Sequence, residues 1–487
     1  MELRGRREIF TDVREVTQSN ITEVLKEAFS VHTVNAAEIR YLQEYEKGNQ
    51  PILRRVKEIR PEINFKAVEN HASEITAFKV GYMFGSPITF VQRASTDVAN
   101  ETGEKDDKSI ATLNEMMFEQ GKAVQDQALG KDLAVCGVGY RIVLPKEVKT
   151  GVSVFDMLRL NPSTTFVVKH NDIYKRPALG VSYVLLSDGR TVRAGAYTTK
   201  FYYELEGSLL GDFKILSIKP NRLGVIPIIE YRNDNERMGC FERVLPLLDA
   251  LNAATSDRLN GLAQFVQSIL WMNNCEIDTQ QMEELKDKLG LLTKSEPGNP
   301  ASVQYLTATL DQAQTQTLID YLYGQILQIA GVPGREQSTG GNTGQAILLS
   351  NGWQIAETHA RSLEQIFTDS EREMLSVVLR IIGLVSPGEL SELRLSDIDI
   401  KFSRNRTDSL LVKTQGLMNQ LQAGIHPLIA ITNCGLYSDP QTVFNDSKEY
   451  LGKWLYESEV DEDEDSVQDV GRSGGEDNNE STPSVSA

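Results

Sequence analysis

From Gln345 to Val385 the chain keeps one helical stripe almost without interruption. Leu363, Ile366, Phe367, Ser370, Met374, Val377, Val378, Ile381 and Val385 recur at steps of three and four, the spacing that collects side chains on one face of an α-helix. Such a helix would reach about 60 Å, longer than the three or four turns usual in a globular domain. A helix gains most of its stability from covering its apolar face, so a rod of this length demands a body built alongside it. Gly352 near its start is a candidate bend.

What precedes the rod is ordered in an unusual way. In "FERVLPLLDALNAATSDRLNGLAQFVQSIL", Leu245, Leu248, Leu251, Thr255, Leu259, Leu262 and Val266 mark a first long helix. A compact insert follows: "WMNNCEID" reads as a short strand, "TQQMEELKDKLG" as a charged helix and "TKSEPGNPASVQYL" as a loop running into a strand. A second long helix, "LDQAQTQTLIDYLYGQILQIAG", closes the insert. Then comes "GVPGREQSTGGNTGQAILLSNGW", a glycine-rich loop that opens the rod.

The N-terminal half supplies the body. Residues 1–40 read as an amphipathic helix through Val24, Leu25, Ala28, Phe29 and Val31, with a stop at Gly48 and a new start at Pro51. Ala72, Ile75, Phe78, Lys79 and Tyr82 keep helical spacing until Gly85-Ser86-Pro87, and a strand follows at 88–91. Residues 96–109 are polar and read as a surface loop, and Met116 to Leu133 as a helix. Strands are expected at 137–144, 166–170, 179–186, 196–205 and 213–218, giving an α+β class with an antiparallel component. After the rod come a strand at 396–406 and shorter helices capped by Asp408 and Asp439. The stretch Glu457–Ala487 holds eleven acids, one arginine and no aromatic residue, a composition that favours disorder.

Charge and residue usage exclude several functions. Net charge is −18, of which that tail carries −10, and no basic block exists to displace counterions from DNA. The cysteines at 136, 240, 275 and 434 form no CxxC, and the five histidines are scattered, so neither a metal site nor a catalytic set is expected, and no cofactor. No apolar run nears the ~20 residues of a membrane span, and the N-terminus lacks a signal-like apolar region.

The glycine-rich loop admits three readings. A phosphate-binding loop needs GxxxxGK[ST] after a strand; here no lysine is present and a helix precedes. The lone Gly137-x-Gly139 lies within a strand and is weaker still. A plain connector would have Asn342 as cap and Gln345 in capping-box position, but helix connections usually take ~2–8 residues. The third reading rests on the order of parts.

Helix, insert, helix, flexible loop and very long helix, set between two halves of an α+β body, resemble the phage portal protein family. The branch it resembles is that of tailed phages of Gram-positive hosts. "YEKGNQPILRR" with "INFKAVENHASEITAFKVGYMFGSPITF" is similar to that family's N-terminal signature. "GCFERVLPLLDALNAATSDRLNGLAQF" is similar to its first stem helix, "GVPGREQSTGGNTGQAI" to the run into its tunnel loop, and "IDIKFSRNRTDSLLVKTQGLMNQLQAG" to its strand and crown-helix passage. Gly344-Gln345 departs from the Ser-Gly found in many relatives.

The resemblance implies a portal fold of α/β wing, stem, small α/β clip, tunnel loop, long kinked wing helix and helical crown. The implied boundaries are an N-terminal helical arm at 1–40, wing at 41–239, stem helices at 240–266 and 309–332, clip at 267–308 and tunnel loop at 333–344. The long wing helix and return strand take 345–405, the crown 406–456 and the acidic tail 457–487. It implies DNA-contacting loop residues Arg335, Glu336, Gln337, Ser338, Thr339, Gly340, Gly341, Asn342 and Thr343, and a docking surface at Trp271, Met272 and Ile277 on the clip. It also implies a homo-oligomeric ring, with twelve subunits usual, at one capsid vertex of the virion, assembled in the bacterial cytoplasm, with double-stranded DNA in the channel. Its partners would be the terminase large subunit, a head-completion adaptor, and major capsid and scaffolding proteins, with no membrane involved. In such a ring the polar positions Asp249, Asn252, Ser256, Arg258 and Asn260 of the first stem helix, and Asp311, Gln314, Gln316 and Gln325 of the second, would face channel or neighbour; an ordinary solvent face is the alternative. Other phage structural proteins, or an enzyme using the glycine loop, stay open as rivals.

Overall fold

The computed structural model describes residues 5–58, 61–93, 103–147, 151–209, 211–266, 269–273, 300, 302–306, 312–334, 352–385, 389–404, 410–437, 440, 442–447 and 450. The chain divides into two compact units, residues 1–406 and 407–487.

The first unit begins with β1 (Ile9–Thr11), where a helix was expected, followed by α1 (Ile21–Glu46). β1 pairs in parallel with β5 (Thr165–His170) at the edge of a six-stranded sheet. The sheet continues antiparallel through β6 (Pro177–Leu185), β7 (Thr191–Tyr197), β8 (Phe201–Ser208) and β9 (Lys214–Pro220). The run expected as one strand at 196–205 is two, β7 and β8, because Thr198 accepts the Phe201 amide and closes a tight turn between them. The first half of α1 covers this sheet: Phe29 meets Phe166 edge-on at 5.2 Å and stacks on Phe213 at 4.9 Å. His32 is buried among the same rings, and burial lowers it to about 4, so it is a neutral core side chain.

α2 (His71–Phe84) leads through β2 (Thr89–Gln92) to α3 (Gly103–Glu119), whose start falls inside the expected polar loop. Gly121, at φ +63°, breaks what read as one helix into α3 and α4 (Lys122–Cys136). A second sheet orders β10 (Ile228–Arg232), β3 (Val138–Pro145) and β4 (Phe155–Leu160); β4 and β10 had no clear periodic signal. A core on one side joins α1, α2, β3 and β10 to the two helices that carry the insert. A core on the other side joins α3, α4, β3 and β10 to the rod. The rod itself is α7 (Trp353–Val385), about 50 Å long, and β13 (Ile398–Lys401) returns from it to pair with β2. Phe367, Met374, Val378, Ile381 and Ile382 are fully buried, as the stripe required. Gly352, at φ +80°, stands immediately before α7, and residues 345–351, where the helix was expected to begin, lie outside the described residues.

At the centre sits a buried, charge-balanced cluster. Arg141 on β3 donates to Glu371 of α7 at 2.7 Å and to Asp126 of α4. Lys122 bonds Asp126 at 2.5 Å and lies 3.1 Å from Glu371, while the Tyr231 hydroxyl donates to Glu371 at 2.9 Å. Two cations and two carboxylates thus satisfy one another out of water. In the second unit, α8 (Leu410–Gln422) and α9 (Pro427–Cys434) pack as a helical pair. Asp408, Asp439 and the acidic tail lie outside the described residues.

Two outcomes are expected. Glu371→Ala leaves Arg141 and Lys122 with one carboxylate between them, and should lower unfolding stability by about 3–5 kcal/mol in urea titrations. For Glu8, burial alone would raise the carboxyl, but Lys169, Lys175 and Arg237 overcome it and hold it at about 2. Its stabilising contribution is full above the ordinary value of 4.5 and disappears as pH falls through about 2. The melting-temperature gap between wild type and Glu8→Gln, measured near pH 7, should therefore close between about pH 5 and pH 2.

Candidate functional site: two helices, an insert and a loop

α5 (Leu245–Val266) and α6 (Gln312–Ala330) stand side by side, joined by a hydrogen bond from Arg258 to Gln316. Their inner ends are rooted in the body through Leu248, Leu251, Ile326 and Leu327. Farther along α5, Asn252, Ser256 and Asn260 are buried, which neither a solvent face nor a channel face would require. They bond an extended segment lying along the helix. The amides of Phe65, Ala67 and Glu69 donate to Asn260 at 2.7 Å, Ser256 at 3.0 Å and Asn252 at 2.8 Å. The spacing explains the fit: four helical residues rise about 6 Å, and two extended residues advance about 6.6 Å. Three polar side chains at i, i+4 and i+8 can therefore meet every second amide of an antiparallel neighbour. Asn252 also donates to buried Gln50, and Thr255 to Glu69 at 2.6 Å.

The outward side of the pair has the opposite character. Leu259 and Leu262 on α5, and Leu318, Tyr321 and Ile329 on α6, are exposed; Leu262 is 55% and Tyr321 62% accessible. Asp311 lies outside the described residues, and Gln314 is exposed on α6.

From the far end of the pair springs an antiparallel hairpin, β11 (Ile269–Asn273) with β12 (Ser302–Leu306). Trp271 and Met272 fall in β11, opposite Gln304 and Val303. Ile277 lies outside the described residues, as do Arg335, Glu336, Gln337, Ser338, Thr339, Gly340, Gly341, Asn342 and Thr343.

The base of that loop is well defined. α6 ends in a left-handed glycine: Gly331, at φ +63°, bonds Gln328 at 3.2 Å while the Val332 amide reaches Leu327 at 2.9 Å, and Pro333 prevents continuation. Gly352, where the described chain resumes, comes so close that a side chain there would touch Pro333. Both flanks of this stretch are pinned to α2. The Lys79 ammonium donates to the Gly331 carbonyl at 3.1 Å. Trp353 packs against Phe78 and Tyr82, each at 5.9 Å, and the Tyr82 hydroxyl donates to Glu357 at 2.7 Å. Arg404 closes on Glu357 at 2.6 Å. These α2 residues were not among the expected site. Their one sequence signal was Lys79 itself, a cation at an apolar-stripe position.

Among the described residues, no group of three or more His, Cys, Asp or Glu side chains is placed to hold a metal ion, and no helix is long and apolar enough to cross a membrane. Burial raises the Cys240 thiol to about 12, so it stays protonated.

A rooted helix pair carrying a hairpin, a loop pinned at its base and a rod seated in an α+β body make an architectural protein. Residues 25–461 match the model of the family described as phage portal protein, SPP1 Gp6-like, and the chain belongs to that family. No curated protein matches it. As a portal protein it is a structural component of the phage virion, the head–tail connector at the capsid vertex through which DNA is packaged. It acts as an oligomeric ring with capsid and terminase partners.

Replacing Asn252, Ser256 or Asn260 singly by alanine strands a backbone donor and should cost about 1–3 kcal/mol. Amide hydrogen exchange should accelerate at Glu69, Ala67 and Phe65 respectively; unchanged protection at the paired amide would show that the ladder does not hold the segment.

Proposed function

We propose that twelve copies close into a ring in which α5 and α6 are the stem, residues 267–308 the clip and residues 333–344 the tunnel loop. The observation that carries this reading is the apolar outer side of the stem pair: Leu259, Leu262, Leu318, Tyr321 and Ile329 need cover that the described residues of one chain do not supply. A second copy presenting its own stem covers them by symmetry. The wing is residues 41–239, preceded by the arm at 1–40; the long wing helix and return strand are 345–405 and the crown 406–456.

The protein is a conduit and hydrolyses nothing itself. Its charge of −18 per chain repels the DNA backbone, so the duplex slides during packaging and ejection; the repulsion reaches only ~8–10 Å at physiological salt. The tunnel loops, Arg335 to Thr343, touch DNA by weak summed contacts, Arg335 making a transient phosphate contact. The pinning of Gly331 and Trp353 on α2 supports this, since it fixes the flanks between which twelve such loops would emerge. The clip, with Trp271, Met272 and Ile277, docks the terminase large subunit and later a head-completion adaptor, while major capsid and scaffolding proteins meet the wing.

Native mass spectrometry with negative-stain imaging tests the ring. Wild type should form closed rings of twelve with a central hole, and Leu262→Asp with Leu318→Asp should give folded chains that no longer close. A wild-type chain that stays monomeric at high concentration, or a double variant that assembles normally, would refute it.

A further inference from the structure

A cleft of about 260 Å³ lies beside the loop base, between α2, the end of α6, the segment entering α5 and the first turns of α7. Its lining runs against the charge of the whole molecule. Lys79 and Arg243 border it, in a chain of net charge −18, together with His359, whose imidazole burial and these two cations hold toward the neutral form. The carboxylate on its wall, Asp234, is already engaged, accepting from Arg243 at 3.1 Å and from the Met238 amide at 2.9 Å, and Glu236 accepts from the same Arg243 nitrogen at 3.3 Å. Lys79 is different. Its ammonium has one hydrogen bond, to the Gly331 carbonyl, and no carboxylate among the described residues lies within ion-pair distance. An ammonium carries three donors, so Lys79 keeps capacity for an acceptor, and burial without a counter-ion disfavours its charge, lowering its pKa. His359 closes the arrangement from α7: a side chain at Gly331 would collide with its Nδ1 and crowd the Lys79 ammonium, so both groups lie beside the same spot.

We propose that this cleft binds a small tetrahedral oxyanion of the phosphate or sulfate class, with Lys79 as the principal ligand and Arg243 and His359 at its mouth. The anion supplies a counter-charge to Lys79 and accepts the free ammonium donors, and Arg243, whose Nη2 is held by Asp234 and Glu236, offers its remaining guanidinium donors. The site lies within one chain, so binding does not depend on ring closure and stands or falls separately from the assembly.

Inorganic phosphate is the probe. Isothermal titration of the purified full-length chain, at constant ionic strength with chloride as the balancing anion, should show saturable binding of one phosphate per chain, with sulfate competing. Lys79→Met should weaken binding by at least about tenfold, the scale of one charge-assisted contact, and Lys79→Arg should largely restore it. Arg243→Gln, a change at an exposed side chain, should weaken binding several-fold without altering the circular dichroism spectrum, and so serves if Lys79→Met fails to fold. Absence of saturable binding, an equal response to chloride, or phosphate binding unchanged in both Lys79→Met and Arg243→Gln would overturn the assignment.

Discussion

The bond from Arg141 to Glu371 sets the position of the rod, and the rod sets nearly everything else. Arg141 stands in a strand otherwise made of Val, Gly, Tyr, Ile, Leu and Pro, and its guanidinium is wholly buried. A cation there is tolerable only if carboxylates arrive from both sides, and they do: Asp126 from α4 and Glu371 from α7. An apolar stripe alone allows a long helix to slide by a turn, because one Leu or Ile replaces another at little cost. A buried carboxylate has no such freedom, since one turn of slippage would leave two buried cations sharing the single carboxylate of Asp126. The hydrophobic contacts of α7 supply most of the cohesion, and the charge cluster supplies the register.

Register at this point matters at the other end of the same helix. α7 begins at Trp353, next to Gly352 and against Pro333, so a shift of the rod would pull the loop base apart. Phe78, Lys79 and Tyr82 of α2 hold both sides of that base. Asn70, which caps α2 and donates to the Glu46 carbonyl at the end of α1, ties α2 in turn to the sheet-covering helix. The loop is therefore suspended from a chain of fixed contacts that reaches from α1 to the core of the body.

Much of this was legible in the residues. The rod, the two helices around the insert and most strands follow from period 3.6 and period 2 patterning, because one face of each is covered and the other is not. Gly331-Val332-Pro333 announced the stop of α6, and Pro333 made it certain. The misread elements share a cause: their signals are tertiary. β1 is three residues long and exists because β5 offers it an edge. In β10 both faces are partly covered, which erases alternation, and in β4 the outward Leu158 blurs it. Gly121 splits a helical pattern that stays periodic across the break. At the candidate site, residue type pointed to the loop and hairpin, but Lys79, Phe78 and Tyr82 acquire their role only when α2, α6 and α7 meet. The same is true of Asn252, Ser256 and Asn260, whose partners lie roughly two hundred residues earlier in the chain.

Those three residues change what the stem helix is. An ordinary amphipathic helix buries leucine and exposes asparagine. Beyond Leu251, α5 does the reverse: Asn252, Ser256 and Asn260 turn inward to an extended strand of backbone, and Leu259 and Leu262 turn outward. The inward polar groups are satisfied within the chain, so nothing is lost by keeping them there. The outward leucines are not satisfied, and α6 repeats the pattern with Leu318, Tyr321 and Ile329. Had the polar stripe faced out, as its spacing suggested, α5 would be content with water and have no physical reason to associate. Because the internal ladder takes up the polar side, the apolar side is the one left to neighbours, and the same hydrogen bonds that steady one chain prepare it to meet the next.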